Sequence, residues 1–277
     1  MSSEHYSEVV SVARDYYNSA DADAFYSAVW GGEDIHIGIY EKPGEPILDA
    51  SRRTVEKLAA RVEISSNQRV LDIGSGYGGA ARYLAATYGC RVAALNLSEV
   101  ENERARRMNQ EQGLSERIDV VDGSFEQLPF DHRSFDLVWS QDAILHSGNR
   151  PGVFAEVART LKPGGSFVFT DPMQADDCPA GVLQPILDRI HLSSLGSPRS
   201  YRQMAEGVGL KEVRFEDLTP QLVTHYSRVL EEVESRTAQS IGVSADYLER
   251  MKKGLRHWID GGKKGYLAWG ILQFQRV

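Results

Sequence analysis

The stretch Val70-Leu71-Asp72-Ile73-Gly74-Ser75-Gly76-Tyr77-Gly78-Gly79 constrains this chain more than any other. Three apolar residues around one carboxylate predict a short buried strand, and the glycines predict a tight turn where no Cβ blocks an approaching ligand. The residues that follow, 80–86, read as a helix, so its positive end and the free N–H groups of the turn face whatever the glycines admit. A cofactor is expected there. Gly74, Gly76 and Gly79 also satisfy the G-x-G-x-x-G fingerprint of dinucleotide-binding domains. A nicotinamide site calls for an acidic residue about twenty positions on. The next strand, Arg91 to Asn96, ends instead in Asn96, which can still bond a ribose hydroxyl, so that reading is weakened without being excluded. A purely structural glycine turn is the other alternative.

Upstream, Val9, Val10, Ala13, Tyr16 and Tyr17 give Tyr6 to Asn18 a helical spacing, and Asp21 or Asp23 can cap a second helix carrying Phe25, Tyr26, Val29 and Trp30. The glycine-punctuated segment Gly31 to Tyr40 reads as a lid or a packing flap. A helix from Asp49 through Val62 leads into strand one. Strands then alternate with helices: Ile118 to Val121, Phe135 to Ser140, and Ser166 to Thr170 after the Lys162-Pro163-Gly164-Gly165 turn, then Leu210 to Phe215. Helices around Leu222 to Arg236 and Tyr247 to Trp258 precede a last strand, Tyr266 to Phe274. The alternation predicts an α/β fold with a parallel, doubly wound sheet, its ligand beyond the carboxyl ends of the strands near the first glycine turn. Pro172, Pro179, Pro185 and Pro198 interrupt two short helices after strand five, which marks an inserted cap at about 171–209. Residues 1–45 form a helical lid segment and 46–277 the main domain.

The 277 residues, 42% hydrophobic, suffice for one large domain with a cap. A net charge of −8 argues against nucleic acid or an anionic membrane as partner. The basic run Arg104-Ala105-Arg106-Arg107 is surrounded by Glu101, Glu103 and Glu111 and reads as a solvated helix face. No apolar run approaches the roughly 20 residues that span a bilayer, and Met1 to His5 lacks the form of a signal peptide, so the cytoplasm is expected. Cys90 and Cys178 have no C-x-x-C spacing and imply neither disulfide nor metal.

Together, residues 70–79, Leu128-Pro129-Phe130 with Phe135-Asp136-Leu137-Val138, and Leu161-Lys162-Pro163-Gly164-Gly165 resemble class I S-adenosylmethionine-dependent methyltransferases over roughly 45–277. The resemblance implies a Rossmann-like sheet of seven strands, the last antiparallel, and S-adenosylmethionine as cofactor with S-adenosylhomocysteine as product. It implies that Asp72, Gly74, Ser75, Gly76 and Gly78 cradle the methionine part and that Asn96 and Leu97 hold the ribose. Gly123, Ser124 and Phe125 would frame the adenine, with Gln141 beside them. Many relatives have an aspartate where this chain has Ser124, so a hydroxyl, a backbone amide and the Phe125 ring take over that contact. A second set, at 30–36, 95–102, 140–147 and 185–190, is similar to sarcosine/dimethylglycine N-methyltransferases of betaine synthesis, which implies two successive methylations of an amino-acid nitrogen. Tocopherol-type and sterol C-methyltransferases and cyclopropane synthases are more distantly similar.

Methyl transfer from a sulfonium is an in-line displacement, so the protein must hold an unprotonated nitrogen about 3 to 3.5 Å from the methyl carbon. His146 and Asp142 follow strand four, and i, i+4 spacing puts both on one face if that stretch is helical. His146 reads as a proton acceptor or a structural histidine. Asp142 reads as a partner of the ammonium, a base or a helix cap. Arg189 in the cap is the candidate clamp for the substrate carboxylate, the alternative being a surface pair with Asp188 or Asp176. His225 and Tyr226 could supplement it, the alternative being a packing role, and His36 in the lid segment is a further candidate. Aromatic faces attract a cation by about 0.5 to 2 kcal/mol per ring; Tyr16, Tyr26, Trp30, Tyr40, Trp139 and Tyr201 are the candidates, of which two or three are expected to touch substrate. Two other readings stay open: a C- or O-methyltransferase with a hydrophobic cap pocket of Leu183, Ile186 and Leu192, and a non-catalytic cofactor sensor. The expected partner is a small-molecule amine, and the expected state a monomer or homodimer.

Overall fold

The computed structural model describes residues 8–277. The reading of Met1 to His5 and the start of the first helix at Tyr6 lie outside the described residues. Two helices, α1 (Glu8–Tyr17) and α2 (Ala20–Trp30), and then α3 (Ile47–Ala59), precede the sheet. The alternating part runs β1 (Arg69–Ile73), α4 (Gly79–Tyr88), β2 (Arg91–Asn96), α5 (Glu99–Glu111), β3 (Ile118–Asp122), β4 (Phe135–Gln141), α6 (Arg150–Thr160) and β5 (Leu161–Thr170). It continues with β6 (Met173–Gln174), α7 (Gln184–Arg189), α8 (Pro198–Gly207), β7 (Leu210–Asp217), α9 (Thr219–Glu234), α10 (Ala238–Ile241), α11 (Ala245–Lys263), β8 (Leu267–Ala268) and β9 (Gly270–Arg276).

Seven strands form one sheet in the order β3-β2-β1-β4-β5-β9-β7, and β9 runs antiparallel to both its neighbours. The order reverses at β1 and β4, which opens a crevice at their carboxyl ends. Alternate residues of each strand serve opposite faces. Leu71, Ile73, Val138, Phe167 and Phe169 pack with Phe154 of α6 and with Tyr201 and Ala205 of α8. Val70, Leu137, Trp139 and Val168 pack with Val55 and Leu58 of α3 and with Ala81 and Leu84 of α4. No helix among the described residues is long and apolar enough to cross a membrane.

Three details differ from the sequence reading. The expected turn at 162–165 lies inside β5, which starts at Leu161 and shifts register against β4 before Ser166. The expected last strand is broken at Trp269, whose backbone N–H donates to Thr219 Oγ1 at 3.0 Å; β8 before it pairs with β6, and only β9 joins the sheet. The insert after strand five is also not all cap. Its second helix, α8, buries Tyr201 and Ala205 against the sheet, while α7 alone reaches the space above the crevice. The rest of the roof comes from α1, α2, α9 and α11.

Candidate active site

At the end of β1 the chain turns through Gly74, whose φ of +76° suits glycine and whose missing Cβ would lie 2.3 Å from Ala143 Cβ. The turn floors a cleft of about 100 Å³ lined by Asp72, Gly74, Ser75, Gly76, Asn96, Leu97, Ser124, Phe125 and Gln141. Gly78 and Gly123 lie outside that lining. Gly78 instead precedes α4, its N–H donating to Ser75 O at 2.8 Å, and the N–H of Gly123 donates to Asn96 O at 3.1 Å. Trp139 Nε1 donates to Gln141 Oε1 at 3.0 Å and so fixes the Gln141 amide.

The lid segment crosses directly over the start of α4. A Cβ on Gly79 would stand 2.1 Å from Asp34 Oδ1 and 2.4 Å from the Glu33 carbonyl oxygen. Asp34 is buried and held by Arg52 Nη2 at 3.0 Å. A dinucleotide pyrophosphate would need that same helix terminus. A carboxylate and a carbonyl of the chain itself now stand there, which removes the dinucleotide reading left open by the glycine pattern.

A second and larger space, about 1200 Å³, lies beside the cleft. Ala13, Tyr17, Ile35, His36, Asp142 and His146 face both spaces and so define the junction between them. There the Tyr17 hydroxyl lies 3.0 Å from His146 Nε2. Burial, followed by the charges of Arg150 and Arg189, pushes the His146 pKa down to about 4, so the ring is neutral at physiological pH. Its neighbour Asp142 has φ of +52° and is followed by a single 3₁₀ turn, Ile144–His146. The expected shared helix face therefore does not form, yet both residues reach the junction. Asp142 Oδ2 accepts from the Ile37 N–H at 2.7 Å and Oδ1 from Trp269 Nε1 at 2.8 Å. It straps the lid segment to the sheet, and burial raises its pKa.

Of the expected substrate residues, His36, Tyr26, Arg189 and Tyr226 line the large chamber, and Tyr40, Tyr201 and His225 do not. Tyr201 is fully buried, stacked on Phe154, and donates to Asp171 Oδ2 at 2.5 Å, because α8 sits on the sheet. His225 Nδ1 accepts from the Gly38 N–H at 3.1 Å and lies 3.0 Å from the Tyr40 hydroxyl. Burial pushes the His225 pKa down to about 3, so this pair is a neutral strut behind the lid. Arg189 Nη2 lies 2.8 Å from Met251 Sδ, and among the described residues no carboxylate stands within the 4.0 Å of an ion pair. Asp188 bonds the Gln184 amide and Asp176 the Arg199 N–H, so neither expected surface pair forms.

Tyr17, Tyr247 and Glu101 are among the lining residues that escaped the sequence reading. Tyr17 sits at the junction itself. Tyr247 on α11 lies 3.0 Å by its hydroxyl from that of Tyr16, which in turn lies 3.5 Å from that of Tyr26. Glu101 enters the smaller cleft from α5. The signal for Tyr17 was its place one position after Tyr16 on α1; nothing local marks Tyr247 or Glu101 as more than helix residues.

Residues 71–169 match the methyltransferase domain family. The sarcosine/dimethylglycine N-methyltransferase of Halorhodospira halochloris is 57% identical over 278 residues, covering 100% of both chains. The chain belongs to this N-methyltransferase family. The enzyme of the same description from Aphanothece halophytica is 57% identical over 97% of this chain and 98% of its own. A crystal structure from Galdieria sulphuraria, described as a candidate sarcosine dimethylglycine methyltransferase, superimposes with a TM-score of 0.89 at 43% identity, covering 94% of this chain and 98% of that one. The cofactor of this N-methyltransferase is S-adenosylmethionine. The cleft fits it: Asp72 Oδ2, Ser75 Oγ and Gln141 Nε2 are buried polar atoms with no partner among the described residues, the complement that an amino-acid and nucleoside ligand satisfies.

Proposed function

We propose that the protein methylates sarcosine to dimethylglycine and dimethylglycine to glycine betaine. The observation that carries this reading is the Arg189 guanidinium, with no carboxylate of the described residues at ion-pair distance, in the same chamber as the neutral Tyr17–His146 pair. A zwitterionic amino acid needs both: a cation for its carboxylate and an acceptor for its amine proton.

Asp72, Gly74, Ser75, Gly76, Asn96, Leu97, Ser124, Phe125 and Gln141 hold the cofactor, which supplies an electrophilic methyl at a sulfonium. His146 is neutral, so Tyr17 donates to Nε2 and turns its oxygen lone pairs to the chamber. The substrate N–H donates to Tyr17 Oη; as that proton moves onto Tyr17, the Tyr17 proton shifts to His146, which at a pKa of about 4 gives it up to solvent. His36 and Asp142 close the junction beside them, and Asp142 keeps the lid against it. Tyr16, Tyr26 and Tyr226 present rings to the cationic nitrogen. The reading includes a cytoplasmic monomer or homodimer acting on a small amine; the net charge of −8 supports the exclusion of nucleic acid.

A hydrophobic acceptor finds less support. Leu183, Ile186 and Leu192 are buried with Trp258 and Trp269 rather than lining the chamber. The test is an endpoint assay by mass on glycine, sarcosine, dimethylglycine, a phenol and a sterol. Methylation of the phenol or sterol with none of the two amines sinks the proposal.

A further inference from the structure

The chamber is larger than its proposed acceptor requires. Its volume of about 1200 Å³ exceeds the roughly 300 to 1,000 Å³ of pockets that take drug-sized ligands, whereas sarcosine is among the smallest amino acids. Arg189 and the Tyr17–His146 pair furnish only the inner end. Arg189 is half-buried and lies against Gly254 of α11, and its charge, after burial and Arg150, lowers the pKa of His146, which places it toward the junction.

The outer end is built from other residues. Arg250, Lys253 and His257 follow one side of α11 around Gly254 and line the chamber, as does His191 just beyond α7. Arg250 and Lys253 are exposed, and among the described residues no carboxylate stands at ion-pair distance from either; Arg250 lies over the Tyr247 ring, 6.0 Å from its centroid. Of the acids that line the chamber, Asp142 straps the lid, Asp21 accepts from the Ser244 N–H at 3.0 Å and its hydroxyl at 2.6 Å, and Asp188 accepts from the Gln184 amide at 2.6 Å. None of them turns to these cations. His257 Nδ1 is buried without a hydrogen-bond partner among the described residues. His191 holds φ of +54° where the chain leaves α7, a position that glycine fills most easily, yet an imidazole is kept there at the rim. Cations gathered without a partner, in a chain of net charge −8, form a site for an anion.

We infer that this outer end receives a second carboxylate, and that the enzyme therefore also methylates N-methyl amino acids with an acidic side chain, the class of N-methylaspartate and N-methylglutamate. The inference rests on the substrate reading above, with Arg189 on the α-carboxylate. Spacing suits the longer member. Arg250 and His257 lie four and three residues from Gly254, about 6 and 4.5 Å along the helix axis at roughly 1.5 Å per residue. The two carboxyl carbons of a glutamate skeleton are separated by four C–C bonds, about 5 Å when extended. The amine stays at the junction. Its lone pair forms the new N–C bond, the C–S bond of the sulfonium breaks with its electron pair left on sulfur, and the amine proton leaves by Tyr17 and His146. The product is the N,N-dimethyl amino acid.

The test compares sarcosine, N-methyl-L-glutamate and its uncharged isostere N-methyl-L-glutamine on the whole protein, with products read by mass. Each exposed ion pair is worth only a few-fold, so N-methyl-L-glutamate is expected to be methylated with a kcat/KM roughly tenfold above that of the glutamine compound. Added salt should erode this advantage. In the double variant Arg250→Gln with Lys253→Gln the advantage should fall below about threefold, while the KM for sarcosine stays within twofold of wild type. Wild type carries the test even if the double variant fails to fold. Turnover of sarcosine with none of N-methyl-L-glutamate overturns this inference and leaves the substrate reading standing. Equal kcat/KM for the glutamate and glutamine compounds overturns it too, as does a double variant that keeps the full advantage. A protein inert toward sarcosine and both longer amines overturns the substrate reading itself, and this inference with it.

Discussion

The Tyr17 hydroxyl and His146 Nε2 lie 3.0 Å apart with their rings edge to face, and this contact joins α1 to the end of the sheet where cleft and chamber meet. Because His146 is held near pKa 4, its ring is an acceptor throughout the working range. His146→Ala is expected to lower kcat by roughly 10² and Tyr17→Phe by about tenfold, as general-base chemistry and one lost hydrogen bond respectively imply. Single-turnover methyl transfer checks this. The wild-type pH profile should show no inflection near 6.5 that His146→Ala removes; finding one would take His146 out of the proton path.

Tyr201 gives a prediction of the opposite kind. Its hydroxyl bonds Asp171, which burial raises to a pKa of about 8 and which also accepts from the Leu145 N–H at 3.0 Å. Tyr201→Phe should therefore destabilise the protein by about 1 to 3 kcal/mol. The KM for sarcosine should move less than twofold. A KM effect without a drop in Tm would return Tyr201 to the chamber.

His225 carries a pH signature in stability. Its folded pKa, about 3, lies below the unfolded value of 6.5, so the unfolded chain binds a proton that the folded chain refuses. Stability then rises with pH across that window and is lost as pH falls through it, by up to about 1.4 kcal/mol per unit. His225→Gln keeps an acceptor for the Gly38 N–H and does not titrate. Between pH 7 and 5 wild type should lose about 2 kcal/mol more than the variant in denaturant unfolding. Parallel curves would mean that the imidazole is not buried neutral.

The sheet was legible because its signals are local. Alternating apolar runs and the turn at Gly74 each follow from neighbouring residues, whereas the expected turn at 162–165 lies inside β5, which runs on from Leu161. Much of the lining of the smaller cleft follows from the same stretches, since its floor is built where those strands end. The chamber was harder to read, because α11 closes it from more than a hundred residues beyond β4. Tyr201 and Tyr247 have the same aromatic spacing logic on their helices, yet one helix lies on the sheet and the other over the crevice. Only the packing of whole helices separates them.

Gly79 tests the fit of lid to glycine turn. As the first residue of α4 it would gain about 1 kcal/mol of helix propensity from alanine if nothing touched it. The Cβ would instead meet Asp34 and the Glu33 backbone. Gly79→Ala is expected to lose about 1 to 3 kcal/mol by overpacking, and to weaken S-adenosylhomocysteine binding as the lid shifts. A more stable variant with unchanged affinity would show that the lid does not rest there.

Arg189 separates acceptor binding from cofactor binding. Its guanidinium reaches Met251 Sδ and packs over Gly254, on the α11 wall of the chamber, and contributes nothing to the lining of the cleft. A bidentate pair with a substrate carboxylate is a charge-assisted contact of about 1.5 to 3 kcal/mol. Arg189→Ala should therefore raise the KM for sarcosine and dimethylglycine by roughly 10- to 100-fold, with S-adenosylhomocysteine affinity within twofold of wild type. Arg189→Lys keeps the charge but not the fork, and should recover only part of the loss. An amine lacking the carboxylate, such as N-methylethylamine, should be indifferent to either substitution. If KM and cofactor affinity change together, or if the plain amine loses as much as sarcosine, Arg189 acts on the roof as a whole rather than on the carboxylate.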